Sequence, residues 1–476
     1  MGGHSPPWRL WLDTEDSEAR FTAYVEALGT VLGHADRVAP LRSYCTGLLL
    51  PGDRKSVEPM AARVAPERVQ ATHQSLHHFV AKAAWSDEAV LDAVRAGVLP
   101  AIGRHGPINA WIVDDTGVPK QGTHSVGVAR QYCGQLGKVD NCQVAVSLSV
   151  ANDHASLPLA HHLYLPAEWA DDPARRARAG VPEDVAFRTK PEIALDRIRA
   201  ALAAGVSPAP VLADAAYGVD TAFRDGITGL GLTYSVGVQP LTPLWPPGTG
   251  PLPPKPWSGR GRKPARVRRD AEHHPITAKD LALSLPRRAW RRTAWREGTN
   301  DTLASRFAAA RVRPAHQGDK AARAEEWLLI EWPKGEPEPT KYWLSTLPAT
   351  ISRRALVHTT KRRWRIERDY QDLKQELGLG QYEGRGWRGF HHHATLCIAA
   401  YGFLILERAA FPPSAGGGSR FLAKPALSEG HRPRGAAASP GTPRPHLPHD
   451  PPSPHRARPR QNGPALPMLS TAERGA

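Results

Sequence analysis

The chain predicts a mixed α/β fold: a sheet with parallel and antiparallel strands, preceded by helices and interrupted by a β-rich insertion. Three observations carry that prediction. The apolar runs Ala110-Trp111-Ile112-Val113 and Pro210-Val211-Leu212-Ala213 read as buried strands bounded by turn residues. Segments before and between them repeat apolar residues at helical spacing. Acidic residues close both runs, and the carboxyl ends of strands are where open α/β sheets present groups to ligands.

The elements follow in order. From Ser17 to about Arg104, Phe21, Tyr24, Val25 and Leu28 recur at helix spacing, as do Val90, Leu91 and Val94, around the loop Pro51–Ser56. This α-helical region, residues 1–105, reads either as a DNA-recognition module or as plain packing. From Ile108 the pattern turns to strands: Ile108–Asp115, Cys142–Ala151 and Ser156–Leu165. A helix over Lys190–Ala204 begins near Pro191 and stops at Gly205. Strand Pro210–Asp214, a short helix from Val219 and strand Leu232–Gly237 complete the first part of the core, residues 106–238.

Residues 239–345 break the pattern. Leu241–Arg269 is rich in Pro, Gly and Arg and reads as a long exposed basic loop, followed by strands around Ala294-Trp295, Ala309–Val312 and Glu326–Trp332. Two helices, Ile351–Leu377 and Phe390–Ala410, then close the core over residues 346–411. Residues 412–476 lack apolar periodicity and are expected to be disordered, because they bury too little surface to offset the entropy of ordering.

At 476 residues with 41% hydrophobic content, the chain can build sizeable cores. Its longest apolar stretch, Ala394–Leu406, is too short to span a bilayer, and Met1–Asp13 lacks the pattern of a signal peptide. A cytoplasmic, nucleoid-associated protein with no membrane partner is expected. Four scattered cysteines without a C-x-x-C pair argue against structural zinc. Net charge is +16. Residues 412–476 hold nine Arg or Lys against three Asp or Glu, so +10 belongs to the body. That excess favours a polyanionic partner.

Three acidic positions then stand out as a group able to hold divalent cations: the Asp114-Asp115 pair, Asp214 and Glu367. Alternation along a strand lets only one of Asp114 and Asp115 face a given side. Asp214 is either a strand-end ligand or the N-cap of the next helix. On the Glu367 helix, Ile366, Tyr370, Leu373 and Leu377 form a core stripe, bordered by a line of Arg363, Glu367 and Lys374. Cations around a carboxylate suit a metal held beside phosphates, whereas a solvated i,i+4 ion pair is the plainer alternative. Lys120 suits a phosphate contact or ordinary surface charge. His391-His392-His393 opens an apolar helix, where consecutive side chains diverge and make poor joint ligands.

The stretches WIVDDTGVPKQG, VLADAAYG and RWRIERDYQDLK resemble the bacterial insertion-sequence transposases of the DDE type. The last stretch matches their Y-x2-R-x3-E-x6-K signature at Arg363, Glu367 and Lys374 but carries Thr360 at the leading Tyr. The resemblance implies an RNase H-like core with a β-rich insertion. It also implies a catalytic, metal-binding triad of Asp115, Asp214 and Glu367 holding two Mg²⁺ or Mn²⁺ ions. Asp115 is chosen over Asp114 because in the family the catalytic Asp precedes Thr. DNA contacts are implied for Arg363 and Lys374, and stacking of Trp343 on a flipped base, for which a core Trp is the alternative. The activity implied is DNA strand cleavage and strand transfer on transposon-end and target DNA, by a homodimer in the DNA complex. The alternative is a decayed or repurposed DNA-binding protein of the same fold that does not catalyse.

Overall fold

The computed structural model describes residues 16–297, 302–316 and 318–411. The expected disorder of residues 412–476 lies outside the described residues. Five helices come first: α1 (Ser17–Gly29), α2 (Val38–Leu49), α3 (Val57–Val64), α4 (Val69–Ala81) and α5 (Asp87–Gly103). Asp16 and Ser86 start α1 and α5 as N-caps, each side chain accepting a backbone N–H of the first turn. These helices wrap around the carboxyl-terminal helix α14 (Trp387–Ala410), in which Tyr401, Phe403 and Leu404 are buried. Among the described residues no helix is long and apolar enough to cross a membrane.

The sheet opens with β1 (Ala110–Pro119), β2 (Ala129–Cys133), β3 (Lys138–Ala151) and β4 (Ser156–Leu163). The short helices α6 (Ala167–Ala170) and α7 (Pro173–Ala179) precede α8 (Lys190–Ala203), which starts on a capping box between Thr189 and Glu192. Then come β5 (Val211–Ala213), α9 (Ala215–Gly218), α10 (Thr221–Gly229) and β6 (Tyr234–Val238). β1 lies antiparallel to β3 and parallel to β5, and β5 is parallel to β6. This mixed sheet with its flanking helices is the RNase H-like arrangement.

The insertion carries β7 (Pro243–Trp245), β8 (Ile276–Thr277), α11 (Ala278–Ser284), β9 (Arg291–Glu297), β10 (Thr302–Pro314), β11 (Glu326–Trp332) and β12 (Lys341–Ser345). Its strands do not form a second sheet. β12 pairs with β6, and the order β6-β12-β11-β10-β7-β8 continues the core sheet outward. The open edge of β6 explains this, because an unpaired strand edge presents free N–H and C=O groups that the returning chain satisfies.

The helix expected over Ile351–Leu377 is broken. α12 (Arg353–Lys361) ends one turn before α13 (Trp364–Gln371), and Asp372–Glu376 is a π-helical turn. The core stripe survives, with Ile366, Leu373 and Leu377 buried and Tyr370 half-buried.

Candidate active site

Strand parity decides which aspartate meets the helix. Ala110 and Ile112 pack with Leu212, Ile366 and Tyr370, whereas Trp111 and Val113 join the main core on the opposite face with Ile198. Asp114 continues the first series and Asp115 the second. Asp114 accordingly lies against α13, 8% exposed, and its Oδ1 stands 3.5 Å from Nη2 of Arg363. Asp115 points to the α8 side, where Oδ2 accepts from Nζ of Lys190.

The same parity runs through β5. Ile112 is in register with Leu212 across the parallel pair, so two residues further on Asp114, midway along β1, comes beside Asp214 just past the end of β5; β1 runs on to Pro119 instead of ending at Asp115, because β3 pairs with it that far. Asp214 does two things with its two oxygens. Oδ1 accepts the backbone N–H of Ala216 at 2.9 Å and caps α9, while Oδ2 lies 3.5 Å from Nη2 of Arg363. Glu367 approaches from α13, with Oε1 3.6 Å from Nη1 of Arg363. Three carboxylates thus surround one guanidinium, and the two aspartate oxygens are no further apart than twice their distance to Nη2.

Their electrostatics follow from position. Burial, with the negative charges of Asp214 and Asp115, pushes the Asp114 carboxyl up to about 7, against the opposing pull of Arg363. For Arg363 burial disfavours the charged guanidinium, but Asp114, Asp214 and Glu367 outweigh it and raise its pKa.

The donor set suits a hard divalent cation: carboxylate oxygens only, two of them on adjacent rigid strands. As the side chains stand, no group of three or more His, Cys, Asp or Glu among the described residues is close enough together to hold a metal ion. The guanidinium of Arg363 lies between these three, so ions would enter only as it leaves.

The other expected residues fall into two groups. Lys374 stays near the site, its Nζ donating to the carbonyl of Gly117 on β1 at 3.1 Å, and burial lowers its pKa. Lys120, also lowered by burial, donates to the carbonyl of Tyr382 at 2.7 Å. Trp343 lies in the insertion, half-buried against an apolar cluster with Phe307 and Leu329, and Nζ of Lys361 sits 5.3 Å from its ring. The three consecutive histidines are buried and separately bonded. His391 faces the carbonyl of Trp387, His392 those of Val80 and Trp85, and His393 the hydroxyl of Tyr44. Burial lowers His392 and His393 to about 4, so all three read as neutral core groups.

Sequence reasoning passed over one pair of residues. Asp369 on α13 and Asp372 on the π turn are buried, and Asp369 accepts from the hydroxyls of Ser156 and Tyr401. No pattern in the sequence marks them, because the π turn that carries Asp372 inward is not visible there.

Residues 27–302 match the family described as DDE superfamily endonuclease, a span that ends before Glu367. Over 167 residues the chain is 35% identical to a protein from Microchaete diplosiphon named "Probable transposase for insertion sequence element IS701". That alignment covers 35% of this chain and 40% of the relative's length. With more than half of its length matched, the chain belongs to the DDE superfamily endonucleases.

Proposed function

We propose that the protein is an insertion-sequence transposase that cuts the ends of its element and joins them to target DNA. The observation that carries this reading is the shared register of β1 and β5, which sets Asp114 beside Asp214 and opposite Glu367. The relative's name and the +16 net charge support DNA as the substrate. The proposal places Asp114, not Asp115, in the triad, since Asp115 faces the other side of the sheet and pairs with Lys190.

In this reading Asp114, Asp214 and Glu367 hold two Mg²⁺ or Mn²⁺ ions. When bound, the ions activate water, then a 3′-hydroxyl, and stabilise the leaving 3′ oxygen. The chain's own residues prepare that chemistry. β1 and β5 fix the two aspartates, and the cap that Asp214 gives α9 fixes its rotamer. α13 brings Glu367 and, on the preceding turn, Arg363, whose guanidinium moves from the carboxylates to a DNA phosphate as the ions enter. Lys374, tethered beside the end of β1, grips the neighbouring phosphate. Lys120 contributes charge at the margin of the site. Trp343 stacks on a displaced base only if it leaves its apolar cluster. Joining two ends calls for a homodimer on the DNA, acting in the cytoplasm at the nucleoid.

The test is cleavage of the element's terminal repeats with and without Mg²⁺, by wild type and Asp214→Ala. The reading expects metal-dependent nicking at the repeat ends by wild type alone. Equal cutting by both proteins, or cutting without metal, contradicts it. Tight binding of the repeats without cutting at any metal concentration would instead favour the non-catalytic DNA-binding protein.

A further inference from the structure

The insertion holds a positive feature that the catalytic reading does not use. Between Leu252 and Arg268 the chain leaves the sheet as a closed loop. Its base is pinned by a two-way backbone bridge between those residues, Leu252 N to Arg268 O at 3.1 Å and Arg268 N to Leu252 O at 2.8 Å. The Arg268 side chain adds a bond to the carbonyl of Pro253 at 2.9 Å. Within the loop stand Lys255, Arg260, Arg262, Lys263 and Arg266, all exposed, with no Asp or Glu between the pinned ends. Among the described residues none of the five is in an ion pair.

The tip is built as well as charged. Gly259 and Gly261 adopt φ of 83° and 73°, which a side chain would resist, and Trp257 Nε1 donates across that turn to the carbonyl of Gly261 at 3.2 Å. Trp257 is 52% exposed. The turn therefore displays an aromatic ring among arginines and lysines. Five like charges within twelve residues repel one another unless a polyanion neutralises them, and a pinned base limits how far they can spread.

We infer that this loop is a sequence-independent docking element for duplex DNA, with the five cations on backbone phosphates and Trp257 against the sugar edge of a groove. The inference rests on the proposed function only in taking DNA as the partner. The loop leaves β7, five strand positions from β5, so roughly 24 Å of sheet separates it from the carboxylates. It acts on binding and leaves the chemical step alone. Phosphate contacts position a duplex without reading its bases. The affinity gained is therefore equal for terminal-repeat and unrelated DNA, and it is strongly salt-dependent.

The experiment uses the full chain without metal, measuring fluorescence anisotropy on a terminal-repeat duplex and an unrelated duplex of the same length. Salt is varied from about 50 to about 200 mM, the range over which phosphate contacts separate most clearly. The variant is Lys255→Gln/Arg260→Gln/Arg262→Gln/Lys263→Gln. Each lost phosphate contact reduces the slope of log K against log salt by about 0.9, so four reduce it by roughly 3.6. Wild type then loses roughly 100-fold more affinity than the variant across that salt range, on both duplexes. The pair Arg260→Gln/Arg262→Gln, with half that effect, keeps the test open if the larger change lowers the melting temperature. Unchanged slopes in both variants overturn the inference, and so does a loss confined to the terminal-repeat duplex. Because binding is read without cleavage, a protein that shows the slope change but never cuts refutes the transposase reading and leaves this one standing.

Discussion

Asp114 and Asp115 are neighbours in the chain and opposites in the fold. Asp114 is buried against α13, beside a second carboxylate and within reach of a third, and its carboxyl is pushed up to about 7. Asp115, one residue on, sits about three-quarters buried on the α8 side with Lys190 as its partner. One is held where negative charge accumulates and the other where it is already answered. The comparison teaches that the pleat of a strand, more than the identity of a residue, decides which carboxylate meets other carboxylates.

Several measurements would break or sharpen that contrast. The largest effect belongs to the partners of Asp114: Glu367→Gln and Asp214→Asn are each expected to slow metal-dependent cleavage by about 10³-fold, roughly 4 kcal/mol of barrier. Single-turnover rates on terminal-repeat DNA check this. A loss under about tenfold for either would remove that residue from the site.

The second effect concerns stability and runs the other way. An unfolded Asp titrates near 3.9, whereas Asp114 in the folded chain titrates at about 7. Between those values the folded state holds a proton that the unfolded state has lost, so stability falls as pH rises from about 4 to about 7. Above that window the full penalty applies. Asp114→Asn removes it and is expected to gain on the order of 1–4 kcal/mol at pH 8 and almost nothing at pH 4. Thermal unfolding at the two pH values reads the difference, and a gain independent of pH would contradict the assigned burial.

Trp343→Ala tests the insertion. Truncating a ring packed on Phe307 and Leu329 should cost about 2–3 kcal/mol, scaled down from a fully buried Trp because this one is half-exposed. A loss of DNA binding without a loss of stability would instead make Trp343 a stacking residue. The smallest effect is on the far face. Lys190→Met removes the partner of a pair about three-quarters buried on each side, for an expected loss of about 1 kcal/mol. Cleavage should stay within a few-fold of wild type, as urea titration and the same single-turnover assay would show.

Much of this architecture was legible in the sequence. The strands around Ile112 and Leu212 announced themselves as apolar runs ending in Asp, and Pro191 and Gly205 marked the limits of α8. The family signature singled out Glu367, whose Oε1 lies 3.6 Å from Nη1 of Arg363. Two things were harder to read. Choosing between Asp114 and Asp115 required the register of β1 on β5, and register is a pairing property that no single strand contains. No Pro or Gly at Arg362 or Arg363 announces the break between α12 and α13, and the π turn after it runs up to Gly378, whose φ is 69°. That the insertion continues the core sheet was likewise not legible, because the pairing of β12 with β6 joins segments about a hundred residues apart.

The most direct test of the account sets the two neighbours against each other. Asp114→Asn and Asp115→Asn are compared for Mg²⁺-dependent cleavage of the terminal repeats, with duplex binding measured in parallel. The account predicts that Asp114→Asn binds DNA normally and cuts about 10³-fold more slowly, while Asp115→Asn cuts within a few-fold of wild type. A dead Asp115→Asn beside an active Asp114→Asn would contradict it.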